Sequence, residues 1–238
     1  MTPDEGNCLL TTQAALLAAD HKSDVLRKKL LAPALRRTAR VIRIRKQCNV
    51  YTCGDENEMI YLIQSGHVKL VVDSSEGKEC LLDIYSSGDF FGESCLTGLK
   101  YRVETATAMA DSVLHRINRQ QFIAALSDAE MHILIQCLNI RILEQQLFIT
   151  DMATTSSEFR LGKVLLRLGL RLGKKHLSGT VIGCRISQEE LSQMVGTTRP
   201  RVTKFINKFR ELDLINLSIE RLIVVKEANL MNYLSKLV

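Results

Sequence analysis

Residues 186–215 read ISQEELSQMVGTTRPRVTKFINKFRELDLI, and the spacing within this stretch decides the fold. Ser187 stands three residues before Glu190, the pattern of a capping box that opens a helix. Leu191, Met194 and Val195 give that helix one apolar stripe, and Gly196 follows as the residue that best tolerates the left-handed turn ending it. Thr197 or Thr198 then caps a second helix, with Pro200 at its first or second position, where a missing N–H costs nothing. Val202, Phe205, Ile206, Phe209 and Leu212 form its apolar face, whereas Arg199, Arg201, Thr203, Lys204, Asn207 and Lys208 form the opposite one. No acid occurs from Arg199 to Arg210. Two helices joined by a tight glycine turn, the second basic on its free face, have the layout of a helix-turn-helix with a recognition helix for the major groove. Arginine suits bidentate contact with a guanine edge, and lysine and threonine suit bases or phosphates.

Working outward, the short runs LINLS and RLIVVKE after this stretch read as two strands, which fits a wing beside the second helix. Before it lie the short apolar run TVIGCRI and an amphipathic helix, FRLGKVLLRLGLRLG, from Phe159. The small polar segment Ala153–Ser157 reads as a hinge. Upstream, Ser127-Asp128 caps a long helix with Glu130 in its first turn. Ile135, Leu138, Ile142, Gln145, Ile149 and Met152 recur there at the 3,4 spacing of a heptad seam, which needs a partner: the plain reading packs it against the chain's own sheet, and the favoured one pairs it with the same helix of a second copy. A polar Gln145 on that seam would fix the register.

From 37 to 122 the period changes to that of short strands: ARVIRIRK, MIYLIQSG, HVKLVVD, CLLDIYSSG, VETATAM and SVLHRI, with turn residues between. This pattern predicts an antiparallel sandwich or roll, with HVKLVVD and CLLDIYS paired as a hairpin. Residues 1–36 read as helical, through Leu9, Leu10, Ala14, Leu17 and Ala18, with Pro33 breaking a second segment. The expected organisation is an α+β chain: a helical segment 1–36, an antiparallel β-roll 37–126, a dimerisation helix 127–153, a hinge 154–157 and a winged helix-turn-helix 158–238.

The 238 residues are 46% hydrophobic and 24% charged, enough for packed cores, with a formal net charge of +6. Residues 26–46 hold nine Lys and Arg and no acid, a second basic stretch beside the one at 199–210. No apolar run approaches the roughly 18 residues that span a bilayer, and the opening MTPDEGN has no basic leader, so a cytoplasmic protein without membrane contact is expected. The seven cysteines, at 8, 48, 53, 80, 95, 137 and 184, form no disulfide framework. An enzyme is not expected, since the chain has no phosphate-cradling Walker loop, no HExxH and no GxSxG.

The helix-turn-helix and its wing resemble those of the CRP/FNR family of bacterial transcription regulators. The likeness extends upstream: Phe90-Phe91-Gly92-Glu93 is similar to the family's phosphate-binding segment, and Tyr101-Arg102-Val103-Glu104 to its arginine-bearing continuation. It covers about residues 37–230. The resemblance implies a β-roll of the double-stranded, cyclic-nucleotide-binding-like kind and a homodimer that reads a pseudo-palindrome in double-stranded DNA. It also implies RNA polymerase as a partner. It carries over the DNA-contacting roles to Ser187, Gln188, Thr197, Thr198, Arg199, Arg201, Thr203, Lys204 and Lys208, and the effector-binding roles to Gly92, Glu93, Ser94, Arg102, Val103, Gln145 and Gln146.

In the ligand-binding members a carboxylate accepts from a ribose 2′-OH and an arginine pairs with the cyclic phosphate, as guanidinium chemistry favours. A cyclic nucleotide, cAMP or cGMP, is therefore one candidate effector. Three points weigh toward another effector or none: Val103 stands where the family has a phosphate-donating serine, Gln145-Gln146 stands where cAMP-dependent members have Thr-Ser, and Phe90-Phe91-Gly92-Glu93 is also common in members that bind no nucleotide, where the Gly and Glu serve the fold. No metal is expected. An iron–sulfur cluster wants four thiolates, whereas Cys8 stands alone and Cys48-x4-Cys53 lacks a nearby third ligand. Heme would need an axial ligand such as His67, His115 or Cys80. The alternative class is a nucleotide- or redox-responsive sensor, with Cys48 and Cys53 as the thiol pair, that regulates a partner protein.

Overall fold

In the strand MIYLIQS, every residue from Ile60 to Ile63 is buried, so both of its faces pack. That double burial organises the first half of the molecule in the computed structural model, which describes residues 39–237. The helical segment expected at 1–36, and Cys8, lie outside the described residues. The strands are β1 (Arg40–Ile44), β2 (Asn49–Tyr51), β3 (Met59–Ser65), β4 (Val68–Asp73), β5 (Glu79–Tyr85), β6 (Phe90–Phe91), β7 (Thr105–Ala108) and β8 (Ser112–Asn118). They form two four-stranded antiparallel sheets, ordered β1-β8-β3-β6 and β2-β7-β4-β5. The expected hairpin is β4–β5, with a register shift at Leu70/Val71.

Alternate residues point to opposite sheet faces. Tyr61 and Ile63 of β3 therefore join Tyr51, Val68, Leu70, Tyr85, Phe91, Ala106 and Leu114 in a core fed by both sheets. Ile60 and Leu62 face the other way, into a second core with Phe90, Cys95, Ile117, Phe122, Leu134 and Cys137. That second core is covered by a 3-10 turn (Glu93–Thr97), helix α1 (Arg119–Ala124) and the start of helix α2 (Asp128–Thr154). Phe90 and Phe91, adjacent in β6, feed one core each, and Phe91 stacks on Tyr61 with ring centroids 5.2 Å apart. At the start of α2, Ser127 N donates to Glu130 Oε2 at 2.7 Å and Glu130 N donates back to Ser127 Oγ at 3.4 Å.

The chain divides into two compact units within α2: the described parts are residues 39–139 and 140–237. The helix ends at Thr154, within the expected 154–157 break, but its last turns group with the C-terminal half. Two contacts tie them there. Asp151 holds Lys163 at 2.5 Å, and Met152 lies against Gly196, where an added Cβ would stand 2.6 Å from its Cε.

The second unit contains α3 (Ser157–Leu172), β9 (Gly173–His176), β10 (Gly179–Ile182), α4 (Gln188–Val195), α5 (Arg199–Glu211), β11 (Ile215–Leu217), β12 (Ile223–Val225) and α6 (Glu227–Leu234). Its sheet runs β11-β12-β10-β9. The apolar stripes of α3, α4 and α5 meet: Leu161, Leu165 and Leu168, Leu191 and Val195, and Val202 and Phe209 are all buried. The strand β9 and helix α6 were not anticipated, and Leu212, expected on the buried face of α5, is about half exposed.

Candidate nucleic-acid interface and effector site

The helix-turn-helix is built as local chemistry requires. Ser187 caps α4: its hydroxyl accepts from Glu190 N at 3.1 Å, and Glu190 Oε2 accepts from Ser187 N at 2.9 Å. This box commits the Ser187 side chain to the helix end. Gly196 leaves α4 at φ +66°, a left-handed conformation that costs a side-chain-bearing residue about 1 kcal/mol or more. Thr198 is the cap position of α5 but makes no side-chain cap bond, and Pro200 follows inside the first turn. Val202, Ile206 and Phe209 turn inward, which leaves Arg199, Arg201, Lys204, Asn207 and Arg210 exposed on one basic face.

Thr203 and Gln188 sit between the two helices. The Thr203 hydroxyl lies 2.6 Å from Gln188 Oε1 and 3.0 Å from Arg199 O, and its single proton is shared between them. This bond locks α4 to α5 and leaves the amide N–H groups of Gln188 as its further donors. Lys208, expected among the DNA-contacting residues, makes an intramolecular ion pair. Its ammonium is 2.8 Å from Glu158 Oε1 and above the Tyr233 ring, so it ties α5 to α3 and α6. The hydrogen bond that the Lys208 ammonium donates to Glu158 raises the lysine's pKa well above its ordinary range. The wing is the β11–β12 hairpin, closed by Ser218 N donating to Leu222 O at 2.8 Å, with Arg221 at φ +59°. Arg185 donates to Glu220 O at 3.1 Å and braces the tip, a role the sequence pattern did not signal.

On α2, Leu134 and Cys137 turn into the roll's core and Leu138 packs against it. Ile135, Ile142, Ile149 and Met152 remain exposed, Ile149 by 67%, and so does Gln145. A row of exposed isoleucines at heptad spacing has the pattern of a coiled-coil seam.

In the β-roll the structure brings Gly92, Ser94 and Arg102 together but adds residues the sequence reading missed. Gly92, at φ +81°, turns the chain from β6 into the 3-10 turn. Beneath it lies the Arg102 guanidinium, from a side chain only 2% exposed. Nη1 donates to Gly92 O at 2.9 Å and to Ser94 Oγ at 3.2 Å, and Nη2 donates to Met59 O. The guanidinium carbon stands 4.1 Å from the centre of the Tyr51 ring, a cation–π contact. Glu104 completes the cluster: its Oε1 accepts from Tyr51 Oη at 2.9 Å and Ser94 Oγ at 3.2 Å, and lies 4.0 Å from Arg102 Nη1. Burial, then the Glu104 carboxylate, push the Tyr51 phenol far above its ordinary range, so it stays a donor. Arg102 Nε is buried without a partner. Glu93 is half-buried at the head of the turn, and Val103 is 53% exposed. Gln145 and Gln146 belong to the other unit and are exposed on α2.

Among the described residues no group of three or more His, Cys, Asp or Glu is placed to hold a metal ion. No described helix is long and apolar enough to cross a membrane. The candidate heme ligand His115 is buried in β8.

A β-roll joined through a long helix to a winged helix-turn-helix defines a DNA-binding transcription regulator with a sensor domain. Comparison with known proteins places it more closely. Residues 41–129 match the cyclic nucleotide-binding domain family, and residues 159–233 match the Crp-like helix-turn-helix domain family. A CRP-like cAMP-activated global transcriptional regulator of Mycobacterium tuberculosis is 27% identical over 162 residues, covering 67% of this chain and 72% of that protein. The global nitrogen regulator of Synechococcus elongatus is 28% identical over 179 residues, covering 74% and 81%. The fold is shared with a CooA variant from Carboxydothermus hydrogenoformans (TM-score 0.69, 22% identity, 89% of this chain and 94% of that one). It is shared too with a CRP/FNR-family regulator from Thermus thermophilus (TM-score 0.65, 23% identity, 83% and 98%). The chain belongs to the CRP/FNR family of transcription regulators.

Proposed function

We propose that this regulator acts as a homodimer that reads a pseudo-palindromic site, each α5 lying in a major groove about one helical turn from the other. The observation that carries this reading is the acid-free face of α5, where Arg199, Arg201 and Lys204 are exposed at the start of the second helix of the helix-turn-helix. Thr197 and Thr198 flank its entry, and Gln188 and Thr203 hold the two helices at their crossing. Ser187 serves the fold as a cap, and Lys208 as a brace, rather than as DNA contacts. Dimerisation rests on Ile135, Leu138, Ile142, Gln145, Ile149 and Met152. RNA polymerase is the further partner that family membership supports, and the cytoplasm the compartment where such a protein works.

The β-roll is the sensor. Relatives named as cAMP-activated support a cyclic nucleotide as one candidate effector. The filled seat around Arg102 favours another effector or none. The test is selection of bound sites from random duplex DNA by the wild-type protein and by Arg199→Ala. Wild type should enrich a two-fold symmetric sequence. Arg199→Ala should relax one base position in each half-site and cost about 1–3 kcal/mol. No enrichment of a symmetric sequence by wild type would overturn the reading.

A further inference from the structure

The anion seat of the β-roll already holds an anion of its own. A cyclic phosphate needs a guanidinium fork with donors free to turn toward it. Here the fork is turned inward and spent: Nη1 on Gly92 O and Ser94 Oγ, Nη2 on Met59 O, with the Tyr51 ring against its face. Main-chain carbonyls and a ring face do not neutralise a buried guanidinium, and a buried charge without a counter-charge is strongly unfavourable. Glu104 supplies that counter-charge. It is 6% exposed, 4.0 Å from Nη1, and bound to the arginine's own neighbours, Ser94 and Tyr51. Arg102 and Glu104 each meet the other three side chains of this cluster, Ser94 and Tyr51 each meet both charged groups, and Ser94 Oγ also reaches buried Asn57 Oδ1 at 3.3 Å. Gly92 packs directly on Arg102, since a Cβ built on it would meet Nη1 and Met59 O at 3.0 Å.

We infer that Glu104 is the specificity-determining residue of this sensor: a built-in carboxylate that occupies the electrostatic place of a ligand phosphate and so excludes cyclic nucleotides. An entering phosphate would meet the carboxylate's repulsion and would have to pull Arg102 from its carbonyl partners. The inference rests on the reading of the β-roll as the sensor of a DNA-binding regulator, but its test does not depend on DNA. It also makes an inverse prediction. Removing the carboxylate leaves a buried guanidinium, with its unpartnered Nε, in need of an external anion.

The experiment titrates the full-length protein with cAMP, cGMP and inorganic phosphate, by calorimetry and by thermal unfolding, for wild type, Glu104→Ala, Glu104→Gln and the double variant Arg102→Ala/Glu104→Ala. Wild type is expected to show neither heat nor a shift in Tm. Glu104→Ala is expected to unfold at a lower Tm that phosphate or cAMP raises again, and to bind cAMP with saturable heat where wild type shows none. The double variant should lose that response. Glu104→Gln keeps acceptors for Tyr51 and Ser94 without the charge, so it carries the test should the alanine variant not fold. Saturable cAMP or cGMP binding by wild type overturns the inference, whatever the variants do. Folded Glu104 variants without any anion-dependent stabilisation overturn it too. Site selection by wild type, run in parallel, separates either result from a failure of the DNA-binding reading.

Discussion

Lys163 is an ammonium on the inner face of a helix, and it persists there because Asp151 meets it at 2.5 Å. Removing one partner of such a pair strands the other without water. Lys163→Met should therefore lower unfolding stability by about 3–5 kcal/mol, whereas Lys163→Met/Asp151→Leu should recover most of that loss. Urea unfolding of the two variants measures the difference, and a single-variant loss below about 1 kcal/mol would mean the pair is solvated. Thiol chemistry follows burial in the same way. Burial pushes Cys184 up to about 12 and Cys95 up to about 11. A raised thiol pKa means less thiolate, tenfold less per unit, and the thiolate is the reacting form. Alkylation at pH 8 should accordingly label the exposed Cys48 and Cys53 before Cys95 and Cys184, in an order that peptide mapping reads directly. At this scale the sequence was legible wherever chemistry is local: the Ser187–Glu190 box and the Gly196 turn need only neighbours. Glu104 was not legible as a partner of Arg102. Its place beside Tyr51 depends on β2 pairing with β7, which sets Tyr51 opposite Ala106, and no short-range pattern announces that pairing.

Elements were legible in proportion to their periodicity. The two helices of the helix-turn-helix have strong helical spacing and appear where expected, and the long helix α2 runs over nearly the expected residues. β2 and β6, of three and two residues, are too short to show a period. β9 reads GKKH and is mostly exposed, so no buried face marks it as a strand. A continuous helix also hides a division between units, because that division depends on which side chains each half packs against. The α2 seam yields a direct expectation. Ile142→Lys places a charge at the middle of the bare row and should convert the dimer to a monomer, with DNA affinity falling alongside. Sedimentation analysis reads the first effect, and a dimer that survives the change removes this face from the interface. The residue just after the same helix is strapped to the turn of the helix-turn-helix by Arg160. Its Nη1 donates to Thr155 O at 2.7 Å and its Nε to Val195 O at 3.0 Å, the residue just before the Gly196 turn. Arg160→Ala should leave the dimer intact, speed amide exchange around residues 195–198 and weaken DNA binding. Unchanged exchange there would show that the strap carries no load.

Charge is a property of the whole molecule, and here it is modest: +6 over 238 residues. Affinity for DNA must then come from where the charge is placed rather than from its total. Residues 199–210 carry five Lys and Arg and no acid, and of these Lys208 is already paired with Glu158. Each phosphate neutralised releases condensed counterions, so log K falls with log salt at a slope of about −0.9 per contact. A symmetric dimer carries every contact twice. If Lys204 meets a phosphate from both protomers, Lys204→Ala should flatten the slope by about 1.8, uniformly over operator and unrelated DNA. A single engaged protomer would flatten it by about 0.9 instead. Arg199→Ala, if it removes a base contact, should shift affinity mainly on the operator. Anisotropy titrations from low to moderate salt separate these outcomes. A slope unchanged by Lys204→Ala would mean that the exposed basic face of α5 does not lie along the phosphates, and the docking geometry proposed for this regulator would have to be rebuilt around the wing.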